Sequence, residues 1–238
     1  MRTVLVTGGT RGIGYAIAES FRETGDDVVI TGRHEGPLAE AAERLGARPL
    51  RADAEDPEQL ARLVDAFPDG VDVVVNNAGG FAGTAPGPGA DAAVHAAYWH
   101  ANLQRNLVGP ALTVTLLEDR IRPGGAVVSI GSIGAEYAGN PYSVAKAALA
   151  AWNAGLSARL GPRGVTANVV AAGFVDGTGL FGGRMSEDRR TSLIARTHTG
   201  RAGTPADVGA TVRFLASPAA RHLTGQCLHV NGGAFTTR

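Results

Sequence analysis

Short apolar runs alternate with longer stretches of helical periodicity from one end of the chain to the other. Most of the short runs are nearly continuous in valine, isoleucine and leucine, which is typical of strands in a parallel sheet that helices cover on both faces. The alternation predicts repeated βαβ units and a parallel sheet. The predicted strands lie at residues 3–7, 27–31, 48–51, 71–76, 126–130, 166–170 and 227–230.

The helical stretches complete this α/β pattern. Several of them open on Asp-Pro or Thr-Pro, because proline suits the first position of a helix. Neither a Pro/Ser-rich linker nor an internal repeat divides the chain, so we expect residues 1–238 to form a single domain. The predicted helices lie at about residues 12–24, 37–45, 57–66, 91–117, 141–160 and 205–216.

Two segments carry no clear helix or strand pattern. Residues 79–89 are rich in glycine and proline, and residues 174–203 combine a Gly-Gly-Arg run with charged positions. Long irregular segments of compact domains often carry function, although surface disorder is the alternative. Both segments are therefore candidates for functional loops.

Charge and cysteine content narrow the classes of partner. The 22 basic and 22 acidic residues cancel, so the chain lacks the positive field that nucleic-acid or anionic-membrane binding needs. The single cysteine, Cys227, allows no internal disulfide and fits a reducing compartment. We see neither a signal peptide nor the roughly 20 apolar residues of a membrane span. The sequence therefore predicts a cytoplasmic protein without a nucleic-acid or membrane partner, and the spacing of its His, Cys and Asp residues predicts no metal site.

A glycine-rich turn follows the first predicted strand and opens the first helix. In such a turn, glycine allows a tight bend, close approach of backbone N–H groups to a pyrophosphate, and close packing of helix on strand. Gly8, Gly12 and Gly14 have the spacing GxxxGxG, which differs from the widely known GxGxxG. The turn is a candidate dinucleotide site, and an ordinary glycine-rich βα turn is the alternative.

The end of the second predicted strand indicates which dinucleotide would bind. An NAD site usually places an acidic residue there to take the ribose hydroxyls, whereas a 2′-phosphate requires a cation. Gly32 takes the position of that acid, and Arg33 and Arg11 are placed to face a phosphate. We expect NADP(H) in preference to NAD(H), and the alternative is that either arginine is a solvated surface residue.

Tyr142 and Lys146 form the most informative pair in the sequence. At a spacing of four residues on a helix, the phenol and the ammonium emerge on one face. A cation beside a phenol lowers the phenol pKa and makes tyrosine a competent acid or base. Lys146 is the only lysine of the chain. The alternative is a surface lysine beside a half-buried tyrosine.

Together these motifs resemble the short-chain dehydrogenase/reductase family, and within it the ketoreductases of the 3-oxoacyl-carrier-protein reductase type. The resemblance implies a doubly wound, Rossmann-type parallel sheet of seven strands in one domain. It runs from end to end, through Thr-Gly-Gly-Thr-Arg-Gly-Ile-Gly at 7–14, Asn-Asn-Ala-Gly at 76–79, Asn-Leu-Val-Gly at 106–109, Tyr-Ser-Val-Ala-Lys at 142–146 and Thr-Gly-Gln-Cys-Leu-His-Val-Asn-Gly-Gly at 224–233.

The resemblance also implies catalytic roles. Tyr142 would give a proton to a carbonyl oxygen, and Lys146 would hold the cofactor ribose and tune the phenol. Ser132 would polarise the carbonyl, with Ser129 as its rival for that role. A water that links Lys146 to solvent would be anchored by Asn106, or by its rival Asn102.

Cofactor contacts carry over by position. Asp53 would bond the adenine amino group, and Asn76, Ala78 and Gly79 would lie beside the adenosine ribose. The full set implied is Gly8, Thr10, Arg11, Gly12, Ile13, Gly14, Arg33, Asp53, Asn76, Ala78, Gly79, Tyr142, Lys146, Gly173 and Val175.

The resemblance implies substrate loops near residues 80–97, 133–141 and 174–203. The chain departs from the family pattern on this substrate side. The loop from Ser132 to Tyr142 is shorter than in many relatives, and Ala172 stands where the family commonly has proline. An inserted Gly177 affects whether Thr178 reaches the nicotinamide amide. An apolar lid is a further candidate, made of Phe174, Leu180, Phe181 and Met185. Arg184, Arg189 and Arg190 are candidates for an anionic tail, with a solvated helix face as the alternative.

The resemblance implies an NADPH-dependent carbonyl reductase that transfers hydride to a ketone or a β-ketoacyl thioester. Two alternatives stay open: oxidation of a secondary alcohol, and a non-catalytic NADP(H)-sensing protein. Residues 147–158 are rich in small side chains, which allow close helix contact. The resemblance implies a homo-oligomer built from this region, either a dimer or a tetramer, and simple packing against the sheet is the alternative.

Overall fold

A computed structural model describes residues 1–180 and 185–237. The strands form one parallel sheet in the order β3-β2-β1-β4-β5-β6-β7, which confirms the predicted doubly wound sheet of seven strands. The order reverses between β1 and β4, and this reversal opens a crevice at the carboxyl ends of the strands. The strands are β1 Thr3–Val6, β2 Asp27–Gly32, β3 Arg48–Arg51, β4 Val71–Asn76, β5 Ile121–Ser132, β6 Thr166–Ala172 and β7 Cys227–Val230.

Alternate residues of the strands face two separate hydrophobic layers. Val4 and Val6 pack with helices on one face of the sheet, and Leu5 between them packs on the other. Because both faces are covered, every position of a central strand must be apolar, which explains the continuous apolar runs of the sequence. The helices are α1 Gly12–Arg22, α2 Glu35–Leu45, α3 Pro57–Ala61, α4 Ala92–Leu103, α5 Gly109–Leu117, α6 Pro141–Leu160, α7 Glu187–Ala195 and α8 Pro205–Leu215.

The long helix predicted at residues 91–117 is interrupted, and this part of the prediction was wrong. A π-helical turn at Gln104–Val108 separates α4 from α5. Two local causes lie in the sequence. The side chain of Asn106 donates to the carbonyl of Asn102, which competes with the backbone ladder, and Pro110 has no N–H to donate. Single π turns of this kind are frequent at functional sites.

Two further differences concern the helices. The predicted helix at 57–66 ends early as α3 and continues as a 3₁₀ turn at Val64–Ala66. Helix α7 lies within the segment left unassigned at 174–203. It was missed because its first four residues are charged and the helix shows no apolar stripe. Ser186 caps α7 by accepting a hydrogen bond from the backbone of Arg189. Among the described residues, no helix is long and apolar enough to cross a bilayer.

Candidate active site

A cavity of about 690 Å³ lies along the carboxyl ends of the strands. It extends from the glycine-rich turn after β1 to the loops that follow β5 and β6, so it joins the predicted cofactor and catalytic positions in one space. The predicted residues that line it are Gly8, Thr10, Arg11, Ile13, Gly14, Arg33, Asp53, Ala78, Gly79, Ser132, Tyr142, Lys146, Gly173 and Val175. Gly12, Asn76 and Asn106 are not among the lining residues.

The glycine-rich turn is a close-packed backbone cradle. Gly8 and Gly12 have φ values of 66° and 55°, a region that favours glycine. A Cβ atom on Gly14 would lie 2.2 Å from the carbonyl oxygen of Gly8 and 2.3 Å from Nδ2 of Asn77. No described side chain caps the N terminus of α1, so its first N–H groups are available to an anionic ligand. The turn therefore fits a pyrophosphate, although Gly12 contributes through conformation and not by lining the cavity.

Asn77, which the sequence analysis did not select, ties the ends of β1 and β4 together. Its Nδ2 donates to the carbonyls of Thr7 and Gly8, at 3.0 Å in each case. Thr7 Oγ1 accepts the backbone N–H groups of Asn77 and Ala78, also at 3.0 Å. These bonds hold the backbone of Ala78 against the cavity.

Asn76 points away from the cavity, and the structure does not support its assignment as a cofactor contact. Successive side chains of a strand point to opposite faces, and Asn76 is the last residue of β4. Its buried amide donates to the carbonyl of Pro110 at 3.0 Å and to Ser129 Oγ at 3.4 Å. Ser129 is also buried, so Ser132 and not Ser129 reaches the cavity. The sequence has two consecutive asparagines here, but it does not tell which of them faces the cavity.

The far end of the cofactor side carries several charges. Arg11 and Arg33 both line the cavity, as the sequence predicts. Arg33 Nη1 lies 3.5 Å from Glu55 Oε1, and Arg105 Nη2 lies 2.8 Å from the same oxygen. Glu55, another lining residue that the sequence analysis missed, is thus paired with two cations. Asp53 also lines this end, and its Oδ1 accepts the backbone N–H of Glu55.

Ser132, Tyr142 and Lys146 come together at the centre of the cavity. Ser132 is the last residue of β5, and Tyr142 lies in the first turn of α6, where Asn140 caps the helix by accepting the Ser143 backbone N–H. A hydrogen bond joins the side chains of Ser132 and Tyr142. Lys146 lies one helical turn beyond, and its Nζ is 5.9 Å from the centroid of the Tyr142 ring.

Burial dominates the electrostatics of this group. It raises the pKa of Tyr142, and the hydrogen bond from Ser132 opposes that rise. The pairing with Lys146 had led us to expect a lowered phenol pKa, and this expectation was wrong. Burial also lowers the pKa of Lys146 to about 8, although its Nζ donates to the carbonyl of Ile130 at 2.7 Å. Tyr142 is therefore protonated at neutral pH and has a proton to donate, although burial makes it a weaker acid than a tyrosine in water.

Asn102 and Asn106 form a double clamp on the loop after β4. Asn106 accepts from the Gly80 N–H at 2.9 Å and donates to the Gly80 carbonyl at 3.0 Å. Asn102 makes the same pair of bonds with Ala82, at 3.1 and 3.2 Å. Both side chains are buried, so Asn106 acts on the cavity by positioning the loop. The two residues that the sequence left as rivals therefore have parallel structural roles.

The clamp holds Phe81 against the candidate catalytic tyrosine. The two ring centroids are 4.6 Å apart at an interplanar angle of 43°. Gly79 makes room for this arrangement, since a Cβ there would lie 2.9 Å from Asn106 Oδ1 and 3.3 Å from Lys146 Nζ. The sequence analysis did not select Phe81, because its loop gave no pattern.

The outer wall of the cavity combines apolar and basic side chains. Arg190, predicted as a possible anion contact, is bound to Asp176 at 2.7 Å and does not line the cavity. Met185 does not line it either. Phe181 and Arg184 lie outside the described residues. The lining residues of this wall are Tyr137, Phe174, Thr178, Leu180, Arg189, Leu193 and Arg196.

The sequence is similar to oxidoreductases over almost its whole length. The family model described as Enoyl-(Acyl carrier protein) reductase matches residues 8–235. A Mycobacterium tuberculosis protein with only the general name of oxidoreductase is 36% identical over 98% of this chain and 97% of its own. The 3-oxoacyl-[acyl-carrier-protein] reductases FabG of Vibrio cholerae and Escherichia coli are 31% and 32% identical, each over 98% of this chain and 97% of the relative.

Solved structures agree with the sequence comparisons. A blue fluorescent protein from a metagenomic library, in complex with NADPH, is 30% identical with a TM-score of 0.87 over 99% of this chain and 98% of its own. A short-chain dehydrogenase/reductase of Brucella melitensis is 27% identical with a TM-score of 0.90, over 99% and 97% of the two chains. The chain belongs to the short-chain dehydrogenase/reductase family and is one of its oxidoreductases.

Proposed function

We propose that the protein is an NADPH-dependent ketone reductase in which Tyr142 donates the proton. The observation that carries the proposal is the convergence of Ser132, Tyr142 and Lys146 on the cavity that begins at the glycine-rich turn. A binding protein without activity would have no need of a hydrogen-bonded serine and tyrosine beside a buried lysine.

The cofactor side of the cavity fits NADPH. The cradle at Gly8 and Gly14 would hold the pyrophosphate, and Arg11 and Arg33 would bind the 2′-phosphate. Lys146 would bond the nicotinamide ribose. Bound NADPH supplies the hydride. The NADPH complex of the blue fluorescent protein supports this cofactor for a chain of the same fold.

The catalytic groups act on the oxygen of the substrate carbonyl. Ser132 and Tyr142 would both hydrogen-bond that oxygen, and their donors stabilise the negative charge that develops there. As the carbonyl carbon accepts hydride, the Tyr142 O–H bond breaks and the proton moves to the oxygen, which gives a secondary alcohol. The ammonium of Lys146 lies close enough to stabilise the phenolate left behind. Solvent then returns a proton to Tyr142.

A β-ketoacyl thioester is the substrate class that we favour. Phe174, Leu180 and Leu193 offer apolar contact for an acyl chain, and Arg189 and Arg196 offer positive charge toward an anionic carrier group. The names of the FabG relatives support the same class. A smaller ketone without an anionic tail is the second candidate, since Arg196 lies over the Tyr137 ring at 5.3 Å and is partly engaged there.

The test is the consumption of NADPH, followed by its absorbance, with acetoacetyl thioesters and bicyclic ketones as substrates. We expect turnover with NADPH above that with NADH. Tyr142→Phe should lower kcat by roughly 10²- to 10⁴-fold and leave NADPH binding unchanged. Tyr137→Phe, another tyrosine of the cavity, is the matched control and should retain activity.

Three outcomes would contradict the proposal. Equal turnover by Tyr142→Phe would remove the tyrosine from the chemistry. Tight NADPH binding without turnover of any ketone would favour the sensing protein. Faster reaction of secondary alcohols with NADP⁺ than of ketones with NADPH, at the same pH, would favour physiological oxidation.

We also propose that the protein is a cytoplasmic homo-oligomer. The small residues of α6 predicted to allow helix contact include Ala147, Ala151 and Ala158, which are exposed. Val94 and Trp99 of α4 are exposed as well, at 49% and 39%. Apolar surface of this kind supports association between copies. Light scattering coupled to size-exclusion chromatography tests it, and a monomer at all concentrations would contradict it.

A further inference from the structure

Three metal-ligating side chains meet behind the catalytic serine, outside the main cavity. They are Glu136, Cys227 and His229, and their ligand atoms all lie within 4.8 Å of one another. Glu136 and Cys227 also line a separate cavity of about 200 Å³, whose walls include Ser132 and Lys146.

The fold brings these residues together from distant parts of the chain. Cys227 and His229 are two positions apart on β7, so both side chains point to one face of that strand. Their partners across the ladder with β6, Val169 and Ala171, line the same small cavity. Glu136 comes from the 3₁₀ turn that follows β5. The sequence spacing alone gave no sign of this cluster, and the predicted absence of a metal site rested on that spacing.

One nitrogen of the His229 imidazole is buried without a hydrogen-bond partner among the described residues. Its side chain is only 12% exposed. Within residues 1–180 and 185–237, Nδ1 is buried without a partner, and Nε2 lies 3.8 Å from Glu136 Oε1, beyond hydrogen-bond distance. Phe235 packs on the ring with 5.2 Å between centroids, which holds its orientation. Buried polar groups are nearly always paired, so the unpaired Nδ1 is an exception. Nε2 is the nitrogen beside the carboxylate, and no hydrogen bond to that carboxylate occupies it, which leaves it open to a cation.

We propose that Glu136, Cys227 and His229 bind a divalent cation of the zinc class. Thiolate, imidazole and carboxylate are the ligands that Zn²⁺ takes in proteins, and a water would complete the tetrahedron. Zinc bonds of about 2.0–2.3 Å place neighbouring ligand atoms roughly 3.5 Å apart, so modest side-chain rotations would close the site. The Cys227 S–H bond breaks as the S–Zn bond forms, and the proton passes to solvent. Cys227 is exposed, which leaves a path for the cation.

The single cysteine allows an unambiguous test with cobalt as the probe. Anaerobic titration of the full chain with Co²⁺ should give a thiolate-to-cobalt charge-transfer band that saturates at one cobalt per chain. Since Cys227 is the only thiol, the band reports that residue alone. Added Zn²⁺ should abolish the band, and binding should release a proton from the thiol near neutral pH.

Ligand variants separate a built site from a lone reactive thiol. His229→Gln and Glu136→Gln should each weaken cobalt binding at least about tenfold. His222→Gln changes an exposed histidine elsewhere and should leave affinity unchanged. Because the His229 side chain is only slightly exposed, circular dichroism checks that its variant folds, and the exposed Glu136 provides a second test. Three results would each overturn the proposal. They are absence of the band, a cobalt affinity in both ligand variants equal to that of wild type, and saturation at one cobalt per two chains.

Discussion

The two sides of the cleft are built in different ways. On the cofactor side the surface is mostly backbone, held by a close approach at Gly14 and by Thr7 and Asn77. On the substrate side it is mostly side chains, carried by the loop around Phe81 and by the segment that contains α7. A backbone cradle requires glycine at fixed positions, whereas a wall of side chains can be built from many sequences. Motif spacing therefore specifies the cofactor side and leaves the substrate side open.

Glycine-to-alanine substitutions give the largest expected contrast between the two sides. Gly14→Ala places a Cβ 2.2 Å from the Gly8 carbonyl oxygen and 2.3 Å from Asn77 Nδ2, where the backbone cannot yield cheaply. We expect the free energy of unfolding to fall by about 3 kcal/mol or more, with loss of NADPH binding. Urea unfolding and fluorescence titration with NADPH measure both effects.

Gly87→Ala is the matched control, in the glycine- and proline-rich segment at 79–89 and outside the cavity lining. A Cβ there meets nothing within 4 Å and Gly87 has no positive φ. We expect stability within about 0.5 kcal/mol of wild type. If both variants lost the same free energy of unfolding, the close packing around Gly14 would not be the cause of the loss.

Lys146 lies between the two sides and gives the next largest effect. Its pKa falls from the ordinary 10.5 to about 8 in the folded protein because it is buried. At pH 7 both the folded and unfolded chains carry the charge, so the folded state bears the desolvation cost in full. Above about pH 8 the folded state loses the proton first, and stability rises until the unfolded lysine also titrates. Between about pH 7.5 and 9.5 the free energy of unfolding of wild type should rise by roughly 2 kcal/mol relative to that of Lys146→Met.

Urea unfolding at the two pH values provides the measurement. Groups common to both proteins cancel in the difference, so the slope reports the lysine. Asp176→Asn breaks an exposed ion pair with Arg190 on the substrate side. Its free energy of unfolding should change with pH in the same way as that of wild type over this range. If the free energy of unfolding of Lys146→Met also changed with pH as wild type does, the lysine would keep an ordinary pKa.

The sequence predicts most of what the backbone determines and less of what side-chain contacts determine. The seven strands, Gly14 and the pair Tyr142 and Lys146 follow from period and spacing, because each depends on local geometry. Helix α7 was missed because its residues carry charge without an apolar stripe. The choice between Asn76 and Asn77 depends on the point at which β4 ends, to within one residue.

Long-range proximity accounts for the other misses. Phe81 contacts Tyr142 only because Asn102 and Asn106 fix the loop from another helix. The proposed metal site of Glu136, Cys227 and His229 joins a turn after β5 to the last strand. No local pattern encodes either contact.

Arg33 tests the charge at the outer end of the cofactor side. Arg33→Ala removes a cation from the expected 2′-phosphate site and frees Glu55 from one of its two ion pairs. We expect KM for NADPH to rise about tenfold with little change for NADH. Arg48→Ala breaks an exposed pair with Asp27 outside the cavity and should change neither. An equal rise for both cofactors would assign Arg33 a structural role only.

Phe81 provides the smallest effect and the sharpest test of the substrate side. Its ring covers the Tyr142 ring, so Phe81→Ala should uncover the phenol without moving the cradle. We expect KM for bulky apolar ketones to rise three- to tenfold, in keeping with roughly 0.5–1.5 kcal/mol for an aromatic contact, while KM for NADPH stays constant. Val94→Ala, on the exposed side of α4, should change neither constant. If Phe81→Ala instead raised KM for NADPH, the two sides of the cavity would be coupled through the loop that carries Phe81, whose backbone carbonyl accepts a hydrogen bond from Arg105.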